Sequence, residues 1–454
     1  MHQLSARLLV GCRRFIASRS GNVGIIFGLL SVPLLAAVGL AIDYGRAAQV
    51  RADLQSAADA ASIAAIAKAS AGYKAAASMQ GDGSIEAAVT DAQNVFKGNL
   101  ATSGVKGYSN LDLKVTVTKS GTMLTSKVTF TADVQTSILG AFQGSLGKGT
   151  MSIGGSATAG NEMPLYIDFY LLLDNTPSMG VGATTADINK MVANTPDKCA
   201  FACHDLSAGG NDYYALAKKL GVQMRIDVLR GATQQLMDTA KMTAAVSTQF
   251  RTAIYTFGAS ATSRGLTTIQ SLTSDLSKAK TAAAKIDLMT VPYQNYQSDT
   301  LTNYGEVLPD INDAIATPGD GSSSSKPQKY VFFVSDGVAD RVNGTPGCSE
   351  AVTQGKDPET GVNYARCQEP LDVSYCTKLK QRGIKVAVLY TTYLPLPTNS
   401  WYMSWMSPFN SKIGKNMQTC ASPGLYFEVS PSQGIAEAME ALFKKAISTA
   451  HLTK

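Results

Sequence analysis

The stretch from Leu165 to Ser178, LYIDFYLLLDNTPS, decides the fold of the larger part of the chain. Leu165–Leu173 is an apolar run interrupted only by Asp168, which we interpret as a structural or strand-edge residue. Short oxygen-bearing side chains follow at once, in the segment from Asp174 to Ser178. An apolar run of this length that ends in a polar loop indicates a buried strand of a parallel sheet.

Apolar strands and helical segments alternate from this strand to the end of the sequence. Further strands are predicted at Thr252–Phe257, Tyr330–Val334, Ile384–Tyr390 and Leu425–Val429. Helices are predicted at Tyr214–Ala240 with a break near Gly221, Ser274–Ile286, Tyr304–Ala316, Val373–Gln381 and Ser432–Ala450. This alternation predicts an α/β fold in which helices cover both faces of a doubly wound, mostly parallel sheet. Ligands of such sheets bind at the carboxyl ends of the strands, near the point where the strand order reverses.

Three polar clusters lie where a divalent cation would be held in such a sheet. Oxygen-bearing side chains follow two of the strands and occupy one later loop, and the candidates are Asp174, Thr176, Ser178, Thr302 and Asp336. Oxygen ligands of this kind suit Mg²⁺, Mn²⁺ or Ca²⁺. Because the set contains few charges, an acidic group from a partner would complete the coordination shell.

The three motifs, in this order, make the sequence from Pro164 to Lys454 resemble a von Willebrand factor A domain. That family's metal-ion-dependent adhesion site uses Asp-x-Ser-x-Ser after the first strand, a Thr in a later loop and an Asp in a Thr-Asp-Gly-like turn. The resemblance implies a Rossmann-like domain over 161–454, with insertions at 179–211 and 339–370, that binds an acidic protein ligand through the five candidates, with Mg²⁺ expected first. The sequence departs from the pattern at Thr176, whose methyl group crowds a position usually held by Ser.

An apolar segment over 22–42 is long enough to cross a membrane as a helix. Arginines precede it, and acidic residues appear only after it, so the positive-inside rule predicts a cytoplasmic segment 1–21 and places the rest of the chain outside. A cleaved signal peptide with a cut near Ala36-Ala37 is the alternative. We favour a retained helix, because the apolar run continues past that position.

An Ala-rich helix is predicted over 43–71, followed by a small α+β region over 72–160. Alanine on several faces permits close helix packing, so the helix is either a simple stalk or the partner of another helix. Within the second region, Leu111–Thr118 and Lys127–Val134 alternate apolar and polar residues on either side of a short turn. This alternation predicts an antiparallel hairpin.

The N-terminal part resembles bacterial Tad-type (Flp) pilus-assembly proteins. The residues that carry the resemblance are Gly21-Asn22, Ile25-Ile26-Phe27, Asp43-Tyr44-Gly45-Arg46, Leu54-Gln55 and Asp59-Ala60-Ala61. TadG-like members of that family join such an anchor to a C-terminal von Willebrand A domain. The resemblance implies a single-pass protein of the bacterial inner membrane whose large domain lies in the periplasm or reaches the surface, and whose partners are other pilus components.

The cysteines indicate an oxidising compartment. Six of the seven lie on the same side of the apolar segment: Cys199, Cys203, Cys348, Cys367, Cys376 and Cys420. Their order along the fold favours the pairs Cys199–Cys203, Cys348–Cys367 and Cys376–Cys420, among about 15 possible connectivities. Zinc binding by Cys199, Cys203 and His204 is the alternative for the first pair, although it requires a fourth ligand.

Several classes of function find no support in the sequence. The formal net charge of +6 is not concentrated in a basic run, which argues against nucleic-acid binding. Neither an HExxH helix motif nor a GxSxG elbow is present, so a protease or hydrolase is unsupported. A metal-dependent hydrolase that holds two ions would need more carboxylates. Two non-enzymatic hypotheses remain: binding through the metal site, and a structural adaptor of the pilus machine in which that site is unused.

Overall fold

A computed structural model describes residues 21–136, 149–392, 400–429 and 434–452 of the 454-residue chain. The predicted cytoplasmic segment 1–21 lies outside the described residues except for its last position. The chain divides into two compact units, with the boundary between Met163 and Pro164.

The first unit begins with the 45-residue helix α1 (Gly21–Ala65). Its first half is long and apolar enough to cross a membrane. Apolar side chains in this half are exposed, as at Val23 and Phe27, which are 72% and 73% exposed. The N-terminal apolar helix is therefore as predicted.

The Ala-rich continuation ends at Ala65 instead of Ala71, and a second helix, α2 (Ala71–Ser78), begins where the predicted helix was to end. Ser70 is the reason for the break, because its side chain accepts a hydrogen bond from the N–H of Tyr73 at 3.0 Å and caps α2.

One face of the Ala-rich half of α1 is buried within its own unit. Buried residues recur every three or four positions, at Ala47, Val50, Leu54, Ala58, Ala61 and Ala65. Gln55 donates to the carbonyl of Ser156 at 3.0 Å, and Arg51 donates to that of Gly154 at 3.0 Å. A Cβ at Gly155 would lie 2.7 Å from two ring carbons of the buried Phe130, so glycine favours this approach. The Ala-rich half of α1 therefore packs in the core of its own unit. It is neither a simple stalk nor a helix that stays free for a partner protein.

The rest of the first unit, as far as the structure describes it, contains an antiparallel sheet and one more helix. The strands are β1 (Gly83–Ser84), β2 (Tyr108–Ser120), β3 (Met123–Gln135) and β4 (Thr150–Glu162), in the order β1-β2-β3-β4. β2 and β3 form a hairpin that closes between Ser120 and Met123, where the alternating pattern predicts one. Helix α3 (Glu86–Ser103) was not predicted, although Ala88, Ala92, Phe96 and Leu100 form its buried stripe at a spacing of four residues.

The second unit is built on a mostly parallel sheet. Its strands are β5 (Ile167–Leu173), β6 (His204–Asp205), β7 (Phe250–Ser260), β8 (Ser263–Thr273), β9 (Thr290–Val291), β10 (Gln328–Ser335), β14 (Lys385–Thr391) and β15 (Tyr426–Val429). The order is β15-β14-β10-β5-β7-β9-β6, and β8 pairs antiparallel with β7. From β5 the chain passes to β7 on one side and later to β10 on the other. The strand order therefore reverses beside β5, and the predicted α/β fold class is confirmed.

Helices cover both faces of this sheet. They are α4 (Thr185–Asn194), α5 (Tyr213–Leu220), α6 (Arg225–Thr243), α7 (Leu276–Ala283), α8 (Tyr304–Ala314), α9 (Val373–Gln381), α10 (Asn410–Cys420) and α11 (Ile435–Leu452). Successive residues of β5 belong to different cores: Phe169 and Leu171 pack in one, whereas Tyr170 and Leu172 pack in the other. This two-sided burial explains why the central strands are continuous apolar runs.

Asp168 is structural, as interpreted from the sequence. It is fully buried and accepts hydrogen bonds from Arg251 Nε at 2.6 Å and Nη2 at 2.7 Å, and it pairs with Lys329. Arg251 and Lys329 are its direct neighbours on β7 and β10. The ion pairs satisfy the buried carboxylate at the end of the sheet remote from Asp174.

The excursion over 339–370 contains a three-stranded antiparallel sheet that was not predicted. Its strands are β11 (Val338–Val342), β12 (Val352–Lys356) and β13 (Asn363–Pro370), with β13 in the centre. The predicted disulfides Cys348–Cys367 and Cys376–Cys420 are both present. The first joins this small sheet to the loop before β12, and the second joins α9 to α10.

The predicted disulfide Cys199–Cys203 is wrong in this structure, where both cysteines are free. The residues between them are extended along the preceding loop: Phe201 bridges to Val181, and the N–H of Ala202 donates to Gly180 at 3.0 Å. A bond across three residues would require this segment to fold back into a tight turn.

Candidate metal-binding site

The loop after β5 is held in place by Asn175. Its side-chain amide donates to the carbonyl of Gly258 at 2.8 Å and to that of Asp287 at 3.2 Å, and its Oδ1 accepts from the N–H of Phe257 at 3.1 Å. Thr176 is extended, and a short 3₁₀ turn begins at Pro177. These bonds tie the loop to the end of β7, so the residues on either side of Asn175 are fixed at the edge of the sheet.

Asp174 is fully buried, and hydrogen bonds satisfy both of its carboxylate oxygens. Thr176 donates to Oδ1 from its N–H at 2.9 Å and from its hydroxyl at 2.7 Å. Ser335, the last residue of β10, donates to Oδ2 at 2.6 Å. The Ser335 oxygen in turn lies 2.7 Å from the Tyr304 hydroxyl, so these three side chains form a hydrogen-bonded chain. Sequence reasoning assigned no role to Ser335 or to Tyr304.

Asp336 follows Ser335 and is also fully buried. Its Oδ1 accepts from the N–H of Val338 at 3.3 Å. Its Oδ2 is buried and accepts no hydrogen bond among the described residues, although the Ser178 hydroxyl is near enough to lower its pKa. Gly337 makes this turn possible, because its φ is +75° and a Cβ there would lie 2.8 Å from Met417.

The remaining two candidates complete the arrangement. The Ser178 hydroxyl lies 3.4 Å from that of Thr176. Thr302, on a separate loop, is paired with Asp340 through two backbone hydrogen bonds of 2.8 Å. Ser178, Thr302 and Asp336 line one cavity of about 480 Å³. The fold therefore brings the oxygen-bearing loops together at the carboxyl ends of β5 and β10, beside the point where the strand order reverses.

The electrostatics of the two carboxylates are unfavourable in the absence of a cation. Burial raises the pKa of Asp174 to about 7, and the Asp336 carboxylate adds to the rise, against hydrogen bonds from Ser335 and Thr176. Burial also raises the pKa of Asp336, while Arg225 and the Ser178 hydroxyl lower it. Two acidic groups close together in a buried site favour neutralisation by a proton or by a metal ion.

The donor set fits a divalent oxygen-seeking ion. It consists of two carboxylates and three hydroxyls, and the Oδ2 of Asp336, to which no described residue donates, offers an acceptor. Among the residues that the structure describes, no group of three or more His, Cys, Asp or Glu side chains is placed to hold a metal. Metal binding here would therefore depend on the hydroxyls of Thr176, Ser178 and Thr302 together with the two aspartates. The alternative zinc site is not formed among the described residues, where Cys199, Cys203 and His204 are not grouped to hold a metal.

The comparison of sequences finds a family match in the N-terminal part. Residues 21–77 match the Tad family of Flp pilus-assembly TadE/G-like proteins. The match covers α1 and almost all of α2, so the Tad likeness belongs to the apolar helix and its Ala-rich continuation and not to the second unit. No curated protein sequence matches the chain.

Solved structures that resemble the chain do so at low identity. The von Willebrand factor domain of the type V pili tip protein Mfa5 from Porphyromonas gingivalis is 9% identical, with a TM-score of 0.35 over 64% of this chain and 96% of that one. The PilB minor pilin from Streptococcus sanguinis is 13% identical, with a TM-score of 0.33 over 75% and 77%. Proximal thread matrix protein 1 from the mussel byssus, solved with a zinc-occupied MIDAS motif, is 13% identical, with a TM-score of 0.33 over 63% and 46%. Likenesses at this level carry no conclusion about function, which is inferred from the site and from residues 21–77.

Proposed function

We propose that this chain is a membrane-anchored Tad/Flp pilus-assembly or adhesion protein that binds a partner through a divalent cation. The cation is held by Asp174, Thr176, Ser178, Thr302 and Asp336, and an acidic group of the partner completes its coordination shell. Mg²⁺ is the expected ion, with Mn²⁺ and Ca²⁺ as alternatives that the same oxygen ligands accept. The function is binding, without catalysis.

The observation that carries this proposal is the buried Oδ2 of Asp336, which accepts no hydrogen bond of normal geometry from the residues that the structure describes. Leaving such an oxygen without a partner costs free energy, and a cation at this position would remove that cost. Asp336 also lines an accessible cavity, so a ligand from outside can reach the same position.

The N-terminal helix α1 supports a location of this binding function at the bacterial membrane. Residues 21–77 match Tad proteins, and α1 exposes apolar side chains over a length sufficient to cross a membrane. We place the second unit on the periplasmic side of the bacterial inner membrane, or displayed at the surface, with other pilus components as partners. The two disulfides are in keeping with an oxidising compartment.

The test is a cell-based comparison of two aspartate variants. Asp174→Ala should abolish pilus-dependent adhesion while the level of the protein in the membrane stays normal. Asp320→Ala is the matched control, because Asp320 makes the same local hydrogen bonds on the exposed surface. Adhesion that survives Asp174→Ala at the wild-type level would contradict metal-dependent binding.

A structural adaptor is the second candidate function. It is favoured by the position of the Tad match, which covers α1 and α2 and leaves out every metal-ligand candidate. In this case the anchor and the Ala-rich helix would act in pilus assembly, and the metal site would be unused. Normal adhesion in Asp174→Ala, together with loss of pili when α1 is replaced by an unrelated membrane helix, would support the adaptor.

A further inference from the structure

We propose that the cavity beside the metal ligands selects a partner segment that carries a bulky apolar side chain next to its single carboxylate. This inference rests on the proposed function: the carboxylate would complete the metal shell, and the apolar side chain would fill the rest of the cavity.

The size of the cavity is the first observation. Its volume of about 480 Å³ falls within the range of roughly 300–1,000 Å³ that is typical of sites for small ligands. Ser178, Thr302 and Asp336 occupy only one part of its lining. A carboxylate bound at these residues would leave most of the volume unfilled, so the ligand must present a further group.

The chemistry of the rest of the lining indicates which group this is. Phe201, Val338, Trp401, Tyr402 and Met406 all line the cavity, and of these Phe201 is partly exposed and Trp401 is exposed. Apolar surface of this kind gains free energy when a hydrophobic side chain covers it. The metal ligands and the apolar wall belong to one cavity, so a ligand can contact both at once.

The ring of Trp401 is held in a defined orientation. Its Nε1 donates to the Oε1 of Gln368 at 2.7 Å, and the Arg366 guanidinium lies over the ring, 5.1 Å from its centre. Arg366 is itself fixed by Asp340, which accepts from its Nε at 2.7 Å. Trp401 is nevertheless 38% exposed and lines the cavity, so a ligand in the cavity can reach it.

The charges of the cavity fit a ligand with one acidic group. Apart from the metal ligands, two carboxylates and two basic side chains line it: Asp299, Asp340, Lys356 and Arg366. These charges offset one another, and a divalent cation would offset Asp174 and Asp336. A single carboxylate at the cation is therefore accommodated, and the remaining lining offers no net positive charge to a second one.

The chain offers its own reporter for the test. Its two tryptophans are Trp401 and Trp405, so Trp405→Phe leaves only the indole that lines the cavity. In full-length Trp405→Phe protein in detergent with Mn²⁺, the fluorescence of Trp401 is titrated with 3-phenylpropionate and with propionate. Mn²⁺ binding is followed separately by electron paramagnetic resonance, with and without each acid. We expect 3-phenylpropionate to bind at least about tenfold more tightly than propionate, because its ring is buried in the cavity.

Two variants of the wall sharpen the result. Phe201→Ala should reduce the preference for 3-phenylpropionate to less than about threefold while Mn²⁺ still binds. Val338→Thr keeps the shape of the wall and adds a hydroxyl, so it should reduce the preference in a protein whose packing is retained. Leu206→Ala, at an exposed position that does not line the cavity, should leave the preference unchanged.

The outcomes separate this inference from the function on which it rests. Equal affinities for the two acids while Mn²⁺ is bound would overturn the apolar selection and leave the metal-dependent binding intact. Absence of Mn²⁺ binding, with or without either acid, would overturn the proposed function and this inference with it.

Discussion

Asp174 and Asp320 make the same local hydrogen bonds in two different surroundings. Asp174 Oδ1 accepts from the N–H and hydroxyl of Thr176 at 2.9 and 2.7 Å. Asp320 Oδ1 accepts from the N–H and hydroxyl of Ser322 at 2.9 and 2.6 Å. The pKa of Asp174 is nevertheless raised to about 7, whereas that of Asp320 is lowered.

The difference arises from burial and from the second carboxylate. Asp320 is exposed, so the hydrogen bond from the Ser322 hydroxyl dominates and stabilises its charged form. Asp174 is fully buried beside Asp336, and desolvation together with like charge outweighs the same local bonds. A short Asp-x-Ser or Asp-x-Thr turn is therefore not a metal site by itself; the turn must bring its carboxylate to a second one inside the fold.

The largest expected effect is on the pH dependence of stability without metal. The folded-state pKa of Asp174 is raised from 3.8 to about 7, so the folded protein holds this proton more tightly than the unfolded chain does. The contribution of Asp174 to the stability of the fold is therefore fully present below pH 3.8 and is lost as the pH rises toward 7. Since each pKa unit corresponds to roughly 1.4 kcal/mol in the free energy of unfolding, this is the largest effect that we expect. Urea unfolding of EDTA-treated protein should therefore show wild type losing stability relative to Asp174→Asn between pH 4 and about 7, and Mg²⁺ should reverse the loss at pH 8.

Asp320→Asn gives the opposite sign and tests the comparison. The lowered pKa of Asp320 contributes stability above its ordinary value, which is lost as the pH falls. Since this group is exposed, the effect should not exceed about 1 kcal/mol. If the free energy of unfolding varied with pH in the same way in wild type and Asp174→Asn, burial would not raise the pKa of Asp174.

A smaller effect is expected at the glycines that follow two aspartates. Gly337 and Gly321 have φ values of +75° and +84°, and a Cβ would lie 2.8 Å from Met417 and 2.7 Å from Leu165, respectively. Both Gly→Ala variants should lose about 1–3 kcal/mol of stability. Only Gly337→Ala should also weaken Mn²⁺ binding, by about tenfold, because it displaces Asp336. Calorimetric titration that found equal Mn²⁺ affinities in the two variants would exclude a role for the Asp336 turn.

The smallest expected effect concerns the hydroxyl that supports Ser335. Tyr304→Phe removes the partner at 2.7 Å from Ser335, and Tyr330→Phe removes a buried hydroxyl that donates to Ala446 at 3.3 Å. Each should cost about 1 kcal/mol of stability. Tyr304→Phe should in addition weaken Mn²⁺ binding about threefold, since Ser335 orients Asp174. If Tyr330→Phe lost the same Mn²⁺ affinity, the loss would follow from reduced stability and not from the contact between Tyr304 and Ser335.

The sequence predicts the fold of the second unit well because its central strands are buried on both faces. Runs such as YVFFV, in β10, leave little choice of element, and the polar residues that follow them locate the site. Strands whose pattern is weaker were missed. The sequence of β4 is TMSIGGSATAGNE. Its small residues allow α1 to approach, but they also interrupt the alternation of apolar and polar residues by which a strand is predicted.

Within the site, the sequence identifies candidate ligands but not the residues that orient them. Ser335 and Tyr304 contribute through hydroxyls that only the fold brings together, across 31 positions of the chain. The role of Asn175 is hidden for the same reason, because its partners lie on β7 and near Asp287. Contacts between single polar atoms of residues that are distant in the sequence leave no local sequence pattern, so they cannot be predicted from it.

The most direct test of the central claim is Mn²⁺ binding to the full-length protein in detergent, measured by electron paramagnetic resonance for wild type, Asp336→Asn and Asp320→Asn. We predict one saturable Mn²⁺ per chain that Mg²⁺ displaces, with affinity lowered at least about 100-fold in Asp336→Asn and unchanged in Asp320→Asn. Wild-type affinity in Asp336→Asn, or an equal loss in both variants, would contradict a metal site at the carboxyl ends of β5 and β10.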